Sequence, residues 1–177
     1  MGSATLPLMG GHVAHFPPGA PAPVGFRGFI RGNVAEKPIA NPTILAVLAA
    51  QEDRASLVSI FAHSNWKLRF ICVFAHIQTE LSKSPVGVVI SEACLPDGHC
   101  WTDLLHEIQK MEAPPPLIVA DRLADDRLWA EVLNLGAYDL LAKPFDGKEV
   151  WHAVTTACRR HENQNGVPRR RISGGAA

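Results

Sequence analysis

The stretch after the apolar run VGVVI carries two cysteines and a histidine, side chains that often bind metal ions. Cys94, His99 and Cys100 lie close together, but their C-x4-H-C spacing is not one that zinc sites use, and no fourth ligand is evident. We therefore expect no metal here. The four cysteines of the chain contain no C-x-x-C pair, which favours free thiols in a reducing compartment over a disulfide framework.

Patterns for nucleophilic catalysis and nucleotide binding are also missing from the sequence. Ser91 precedes Glu92 without the glycine-flanked turn that exposes a hydrolase serine. After the first apolar run, the residues AAQED stand where a phosphate-binding loop would require glycines. The histidines of the predicted helices are of the ordinary solvated or packed kind. No catalytic triad, P-loop or dinucleotide fingerprint is therefore predicted.

Composition predicts one domain of ordinary size and gives no hint of a charged partner. The chain has 177 residues, 47% of them hydrophobic, and its 17 basic and 17 acidic side chains cancel. There is thus no overall field to attract nucleic acid or a membrane surface. No apolar run approaches the roughly 20 residues of a bilayer span, and the first residues lack a signal-peptide pattern. We predict a cytoplasmic protein without nucleic-acid or membrane partners.

Segments of different composition flank the centre of the chain. Residues 1–42 hold half of all glycines and prolines and predict a disordered leader, although its phenylalanines could instead dock on the domain or a partner. Residues 161–177 are polar and Gly-rich, which predicts a flexible tail. The arginine run Arg169–Arg171 within it is too short to bind nucleic acid strongly.

Between these segments, short apolar runs alternate with longer amphipathic stretches, a pattern typical of five βα units and a parallel sheet. The predicted strands are Thr43–Leu48, Leu68–Phe74, Val86–Ile90, Leu117–Ala120 and Tyr138–Ala142. The predicted helices are Glu52–His63, His76–Ser82, Thr102–Met111, Asp125–Leu135 and one that Asp146 opens. Gly136 is expected to end the fourth helix, and Asp146 is expected to cap the fifth.

Helical spacing also predicts which side chains face the sheet. On the first helix these are Ala55, Leu57, Val58, Ile60 and Phe61. On the fourth they are Leu128, Val132, Leu133 and Leu135, and on the fifth Val150, Trp151, Val154 and Ala157.

Two segments, VVISEACLPDG at 88–98 and LGAYDLLAKPFD at 135–146, resemble the third-strand and fifth-strand signatures of the response-regulator receiver family. Both match in order and spacing, and the resemblance covers about residues 43–160. It implies an α/β fold of the flavodoxin-like (βα)5 type, a doubly wound parallel sheet with strand order 2-1-3-4-5. In such a fold the functional site lies beyond the carboxyl ends of the strands, between strands one and three.

The resemblance also implies a phosphorylation site that has degenerated in this sequence. The metal-binding acidic pair of the family falls on Leu48 and Ala49, and the phospho-accepting Asp falls on Glu92. The family's hydroxyl residue falls on Asp121. Only Lys143, followed by a proline, is unchanged. The family's switch aromatic, three residues before that lysine, becomes Leu140.

These replacements predict a site that cannot accept a phosphoryl group. Magnesium requires near-octahedral oxygen ligation, and Glu92 would have to hold it almost alone. The longer Glu92 side chain is expected to offer a fixed negative charge to Lys143, while Asp121 could share Lys143 or repel Glu92. Two alternatives remain open: a surface ion cluster without function, or an atypical acceptor whose metal ligands come from Glu52 or Asp53 through an unusual first loop.

The leading hypothesis is therefore a pseudo-receiver: a non-enzymatic signalling module without a cofactor that acts by binding a protein. The 17 residues after the predicted last helix leave no room for an output domain. The partner would be a histidine kinase, a downstream signalling protein or a second copy in a homodimer. Trp129 and Leu140 are the candidate contact residues, with core packing as their alternative. The competing hypotheses are a working phosphorelay receiver with an atypical acceptor and a flavodoxin-like ligand binder.

Overall fold

The computed structural model describes residues 42–166, which belong to one compact unit. Strands and helices alternate along them as β1 Thr43–Val47, α1 Gln51–Phe61, β2 Lys67–Ile71, a 3-10 helix Phe74–His76, α2 Ile77–Lys83, β3 Val88–Glu92, α3 Trp101–Gln109, β4 Leu117–Asp121, α4 Asp126–Leu135, β5 Asp139–Ala142 and α5 Gly147–Gly166. The predicted leader up to residue 41 and the arginine run lie outside the described residues.

The five strands form one parallel sheet in the order β2-β1-β3-β4-β5. Strand β1 lies between β2 and β3, since Ile44 pairs with Leu68 of β2 on one side and with Val88 of β3 on the other. The chain therefore reverses its direction of winding between β1 and β3, and a crevice opens there at the carboxyl edge. The predicted α/β fold and strand order are confirmed.

Alternating side chains of the strands divide the core into two layers. Leu45 and Val47 pack with helices α2, α3 and α4 on one face of the sheet. Ile44, Ala46 and Leu48 pack with α1 and α5 on the other. Both faces are covered, which explains why the inner strands read as continuous apolar runs. Among residues 42–166, no helix is both long and apolar enough to cross a membrane.

The predicted capping residues Gly136 and Asp146 are confirmed, and Asp125, predicted as the first residue of the fourth helix, is the N-cap of that helix. Asp125 precedes α4 and accepts a hydrogen bond from the backbone N–H of Leu128 at 2.8 Å, a typical N-cap contact. Gly136 ends the same helix with φ of 101°, a left-handed conformation that favours glycine. Asp146 accepts from the backbone N–H of Glu149 at 2.9 Å at the start of α5.

Several predicted boundaries are wrong at their ends. Strand β3 begins and ends two residues later than expected, because β4 pairing continues until Glu92 lies opposite Ala120. Pro42, assigned to the leader, is buried, and its carbonyl accepts from the N–H of Lys67 at 2.9 Å. Helix α5 continues to Gly166, so the tail predicted from residue 161 begins inside a helix.

Some residues predicted to face the sheet are exposed instead. Trp151 is 41% exposed and Ala153 is buried in its place, because position 151 lies about 100° around the helix from Val150. The Trp151 ring stacks on Phe61 of α1 with centroids 5.4 Å apart. Three more residues that were predicted to face the sheet are also exposed: Ala55, Val58 and Leu135.

Candidate functional site at the carboxyl edge of the sheet

The carboxyl ends of β1, β3 and β5 bring three polar groups to the crevice between β1 and β3: the Ala49 N–H, the Glu92 carboxylate and the Lys143 ammonium. Glu92 is the last residue of β3, and Lys143 follows β5. The Lys143 Nζ lies 2.6 Å from Glu92 Oε1, and both side chains are largely buried, with 5% and 14% of their surface exposed. The crevice therefore contains a buried ion pair between two residues that are 51 positions apart in sequence.

The second oxygen of Glu92 is also engaged. The backbone N–H of Ala49, just past the end of β1, donates to Glu92 Oε2 at 3.0 Å. The Glu92 carboxylate thus bridges the ends of three strands, β1 through Ala49, β3 through its own backbone and β5 through Lys143. The extra methylene of glutamate, relative to aspartate, gives the carboxylate the reach to contact both donors.

Asp53 completes the buried cluster, a role that the sequence did not predict for it. It lies on α1, is 5% exposed, and places Oδ2 2.8 Å from Lys143 Nζ. This contact is an ion pair outside hydrogen-bonding angles, so Asp53 Oδ2 has no hydrogen-bond partner. The spacing of four between Asp53 and Leu57 was a usable clue, since it places the aspartate on the inward face of the helix.

Two carboxylates and one ammonium therefore share this site, which we call the Lys143 cluster: Asp53, Glu92 and Lys143. With all three groups ionised the cluster carries one excess negative charge. Removing ions from water is costly, and close pairing with hydrogen bonds offsets that cost only in part.

Leu48 and Ala49 lie at the site, but their side chains contribute no polar group. Leu48 is fully buried in the apolar core beside α1 and α5. Its backbone is fixed instead, because its N–H donates to Ile71 at 3.0 Å and its carbonyl accepts from Arg54 Nε at 2.8 Å. Ala49 contributes its backbone N–H to Glu92. The end of β1 is thus a rigid backbone wall of the crevice.

Asp121 does not share Lys143, contrary to one expectation. Its Oδ1 accepts from the backbone N–H of Leu123 at 2.7 Å and so forms the turn after β4. Its carbonyl oxygen, not its carboxylate, accepts from the Lys143 backbone N–H at 2.9 Å. The carboxylate that shares the lysine is Asp53.

An exposed ion pair lies at the same edge of the sheet. Arg122 follows β4 and pairs with Glu52 in the first turn of α1, 70 positions away in sequence. Both side chains are largely exposed, so the pair contributes little stability. Glu52 therefore points to a surface arginine, whereas the next residue along α1, Asp53, points into the cluster.

The side chains at the crevice do not fit the magnesium ion that the family resemblance implies. Magnesium needs several oxygen ligands in near-ideal octahedral geometry. The positions of the acidic pair carry an apolar side chain and a methyl group, and both Glu92 oxygens already accept hydrogen bonds. Within residues 42–166, no group of three His, Cys, Asp or Glu side chains is placed to hold a metal ion.

The two candidate contact residues differ in exposure. Trp129 on α4 is 43% exposed, so its indole is available at the surface. Leu140 is 7% exposed and packs in the core beside α2, α3 and α4, so its burial favours the core-packing alternative over a partner contact. Sequence reasoning missed Leu123, the most exposed large apolar side chain of the described residues at 80%.

A cavity of about 250 Å³ lies away from the crevice, between α2 and α3. Its lining residues are Gln78, Leu81, Ser82, Glu107, Lys110 and Met111. The ligand-binder hypothesis expected a small molecule at the strand ends, and this cavity gives that hypothesis no support.

Solved structures of receiver domains share this fold. The signal receiver domain of an HD domain-containing protein from Pseudomonas fluorescens Pf-5 has a TM-score of 0.65 at 23% identity, covering 76% of this chain and 100% of that one. Full-length FixJ from B. japonicum has a TM-score of 0.63 at 22% identity, covering 72% of this chain and 63% of that one.

A curated relative shows the same likeness in sequence. The transcriptional regulatory protein FixJ of Bradyrhizobium diazoefficiens is 30% identical over 76 residues, which are 43% of this chain and 37% of FixJ. The match thus spans just over a third of that protein's length. No protein-family model matches the sequence. The strand order, the helices on both faces and the solved neighbours agree that this chain has the fold of a response-regulator receiver domain.

Proposed function

We propose that this chain is a pseudo-receiver of two-component-type signalling that binds a protein partner and does not accept a phosphoryl group. The observation that carries the proposal is the placement of Glu92. Its two oxygens accept from Lys143 Nζ at 2.6 Å and from Ala49 N–H at 3.0 Å. The retained lysine therefore already has an anionic partner supplied by the chain itself.

The charge balance of the Lys143 cluster supports this proposal. Phosphoryl transfer to a carboxylate requires positive charge to offset the charge on the equatorial oxygens. Here the single ammonium already faces two carboxylates, Asp53 and Glu92. A phosphoryl group would bring about −1.5 to −2 more charge into a pocket without a fitting magnesium site. Phosphorylation of Glu92 is therefore opposed by the pocket.

The fixed contacts also suggest a single signalling state. A phosphorylated receiver uses its phosphate as a new anionic ligand of the lysine, and Glu92 supplies a permanent one of smaller charge. FixJ is a transcriptional regulatory protein and the Pseudomonas fluorescens chain is a signal receiver domain, which supports a role in signal transduction. We propose that this chain holds its partner surface in one arrangement, independent of a phosphate donor.

The phosphorylation test uses the full chain incubated with acetyl phosphate and magnesium, followed by intact-mass measurement. A receiver domain that has an aspartate at the acceptor position and an intact acidic pair serves as the positive control for the reagent. We expect the control to gain one phosphoryl group and this chain to gain none. A phosphoryl adduct mapped to Glu92 would instead support the atypical phosphorelay receiver and overturn the pseudo-receiver.

Exposed apolar side chains around α4 support the proposed partner surface. Leu123 precedes the helix, Trp129 lies within it and Leu135 ends it, and they are 80%, 43% and 51% exposed. Exposed tryptophan is enriched among residues that dominate binding energy at interfaces. We propose that a protein binds here, with a histidine kinase, a downstream regulator and a second copy of the chain as the candidates.

The partner test compares two tryptophans of nearly equal exposure on opposite faces of the sheet. Trp129 is 43% exposed on α4, and Trp151 is 41% exposed on α5. Trp129→Ala and Trp151→Ala variants of the full chain are used for affinity capture from the native host and for sedimentation of the purified protein. We expect Trp129→Ala to lose captured partner proteins, or to lose self-association in sedimentation, whereas Trp151→Ala behaves as wild type in both measurements. Equal binding profiles for wild type and Trp129→Ala would refute this surface.

A further inference from the structure

The loop between β3 and α3 folds back on itself just beyond Glu92. The N–H of Leu95 donates to the carbonyl of His99 at 2.8 Å, and the N–H of Trp101 donates to the carbonyl of Ala93 at 3.0 Å. These bonds enclose an isolated antiparallel β-bridge between Cys94 and Cys100. The two cysteines are therefore direct cross-strand neighbours at the neck of a short loop.

The hydrogen-bond pattern specifies which kind of antiparallel pair the cysteines form. The bonds join the residues on either side of Cys94 to those on either side of Cys100, so the cysteines form a non-hydrogen-bonded pair. In such a pair the Cα atoms lie about 4.5 Å apart and the side chains are close together. Disulfides span Cα separations of about 4.4 to 6.8 Å, so the backbone already permits a bond.

The thiols of Cys94 and Cys100 are accessible and form no disulfide. Both Cys94 and Cys100 are free and exposed, whereas Cys158 is buried. Desolvation, followed by the neighbouring Cys94 thiol and the Asp103 carboxylate, raises the pKa of Cys100. Cys72 is also free and exposed but lies after β2, outside this loop, so the chain offers its own comparison thiol.

We propose that Cys94 and Cys100 form a reversible disulfide, which makes this loop a redox modification site. The oxidant is a low-molecular-weight disulfide such as oxidised glutathione. One cysteine thiolate attacks it, a mixed disulfide forms and one small thiolate leaves. The second cysteine then displaces the other small thiol, so the protein loses two hydrogen atoms and two small thiols are released.

The bond would lock the segment that joins the Lys143 cluster to helix α3. Asp97 lies inside the loop and accepts from the backbone N–H of Phe74 at 2.6 Å, which ties the loop to the segment after β2. His99 stacks on the Phe74 ring with centroids 4.2 Å apart. A disulfide between Cys94 and Cys100 would hold the two ends of the loop together even when the contacts of Asp97 and His99 with Phe74 break. The inference is independent of the proposed pseudo-receiver function.

The test treats the native full chain with oxidised glutathione, quenches with acid and measures the intact mass. We expect the loss of two hydrogen atoms, restored by dithiothreitol. Trypsin releases both cysteines in one peptide, so a second protease that cleaves before Asp97 must separate them. The two fragments are expected to remain joined until reduction, which assigns the bond to Cys94 and Cys100.

Single variants complete the test. Cys94→Ser and Cys100→Ser are expected to abolish the loss of two hydrogen atoms, whereas Cys72→Ser retains it. Serine removes the thiol but none of the backbone hydrogen bonds of the bridge, so we expect both variants to fold. Their circular dichroism spectra are compared with that of wild type to check this. A bond that involves Cys72, stable glutathione adducts on both loop cysteines, or unchanged thiols would each overturn the proposal.

Discussion

The ammonium of Lys143 lies 2.6 Å from Glu92 Oε1 and is almost fully buried with it at the carboxyl edge of the sheet. A buried charge that loses its partner is costly, because no water replaces the lost contact. The Lys143 cluster also contains Asp53, so the lysine separates two carboxylates that would otherwise face each other. The stability of the fold should therefore depend strongly on this one lysine.

The first prediction is that Lys143→Met destabilises the protein by about 3–5 kcal/mol, the range seen when one partner of a buried ion pair is removed. Urea unfolding followed by circular dichroism measures the change. Lys148→Met on the exposed surface of α5 is the matched control and should change stability by less than about 0.5 kcal/mol. Similar losses in both variants would contradict a buried cluster.

The second prediction ranks the two carboxylates. Glu92→Gln should cost more stability than Asp53→Asn, although Asp53 is the more deeply buried. A glutamine amide must point its NH₂ group at either Lys143 Nζ or the Ala49 N–H, which places two donors together. Asparagine at 53 instead removes the excess charge and leaves the Glu92 pair intact.

The ranking is measured by urea unfolding of both variants under the same conditions. Each variant is then combined with Lys143→Met in a double-mutant cycle, which isolates the pairwise energy. We expect a larger coupling of Lys143 to Glu92 than to Asp53. The reverse order would mean that hydrogen-bond geometry matters less here than burial.

The fold was largely predictable, because hydrophobic alternation and two local motifs carry most of the information. Apolar runs and helical stripes identified all five βα units, and the signatures around Glu92 and Lys143 implied the strand order. Strand ends were less predictable. Val86 looks like a strand residue by composition, but the pairing of β3 with β1 begins at Val88.

The site was only partly predictable, since long-range contacts depend on side-chain direction. Glu92 and Lys143 were identified because each lies within a sequence motif of fixed spacing. Asp53, four residues past Ala49, was considered only as a metal ligand of an atypical acceptor, because its helical position gave no reason to expect contact with Lys143. The Cys94 bridge to Cys100 depends on how a loop folds back, which neither cysteine spacing nor local propensity specifies. The sequence left open whether Asp121 shares Lys143, and its contact with the Leu123 N–H depends on the conformation of the turn after β4.

The third prediction concerns Asp97 in the β3–α3 loop. Asp97→Ala should accelerate amide hydrogen exchange at Phe74, whose N–H the carboxylate accepts at 2.6 Å. That hydrogen bond is the largest cause that lowers the Asp97 pKa below its ordinary value of 3.8. The contribution to stability is therefore present above 3.8 and is lost as the pH falls through the lowered folded-state pKa.

Exchange is followed by NMR near neutral pH, where Asp97 is ionised. Glu112→Ala, an exposed carboxylate after α3, is the matched control and should leave the Phe74 exchange rate unchanged. Equal Phe74 rates in wild type and Asp97→Ala would show that the carboxylate does not hold this amide.

The last prediction is a pH-dependent gain in stability from Asp139→Asn at the start of β5. Burial raises the pKa of Asp139 above its ordinary 3.8, against a smaller lowering effect of the Leu140 N–H. A raised folded-state pKa means that the ionised carboxylate disfavours folding, so stability falls as the pH rises through this range. Asparagine removes the charge and keeps an oxygen that can accept from Leu140, which Asp139 does at 2.9 Å.

We therefore expect Asp139→Asn to be more stable than wild type at neutral pH, with a difference that shrinks as the pH falls to 3.8 and below. Urea unfolding at several pH values measures it. Asp126→Asn, on the exposed first turn of α4, controls for loss of one negative charge and should be slightly destabilising because that carboxylate favours the helix N-terminus. A gain at Asp139 that stays constant down to the lowest pH would show that packing, not ionisation, sets the cost of that carboxylate.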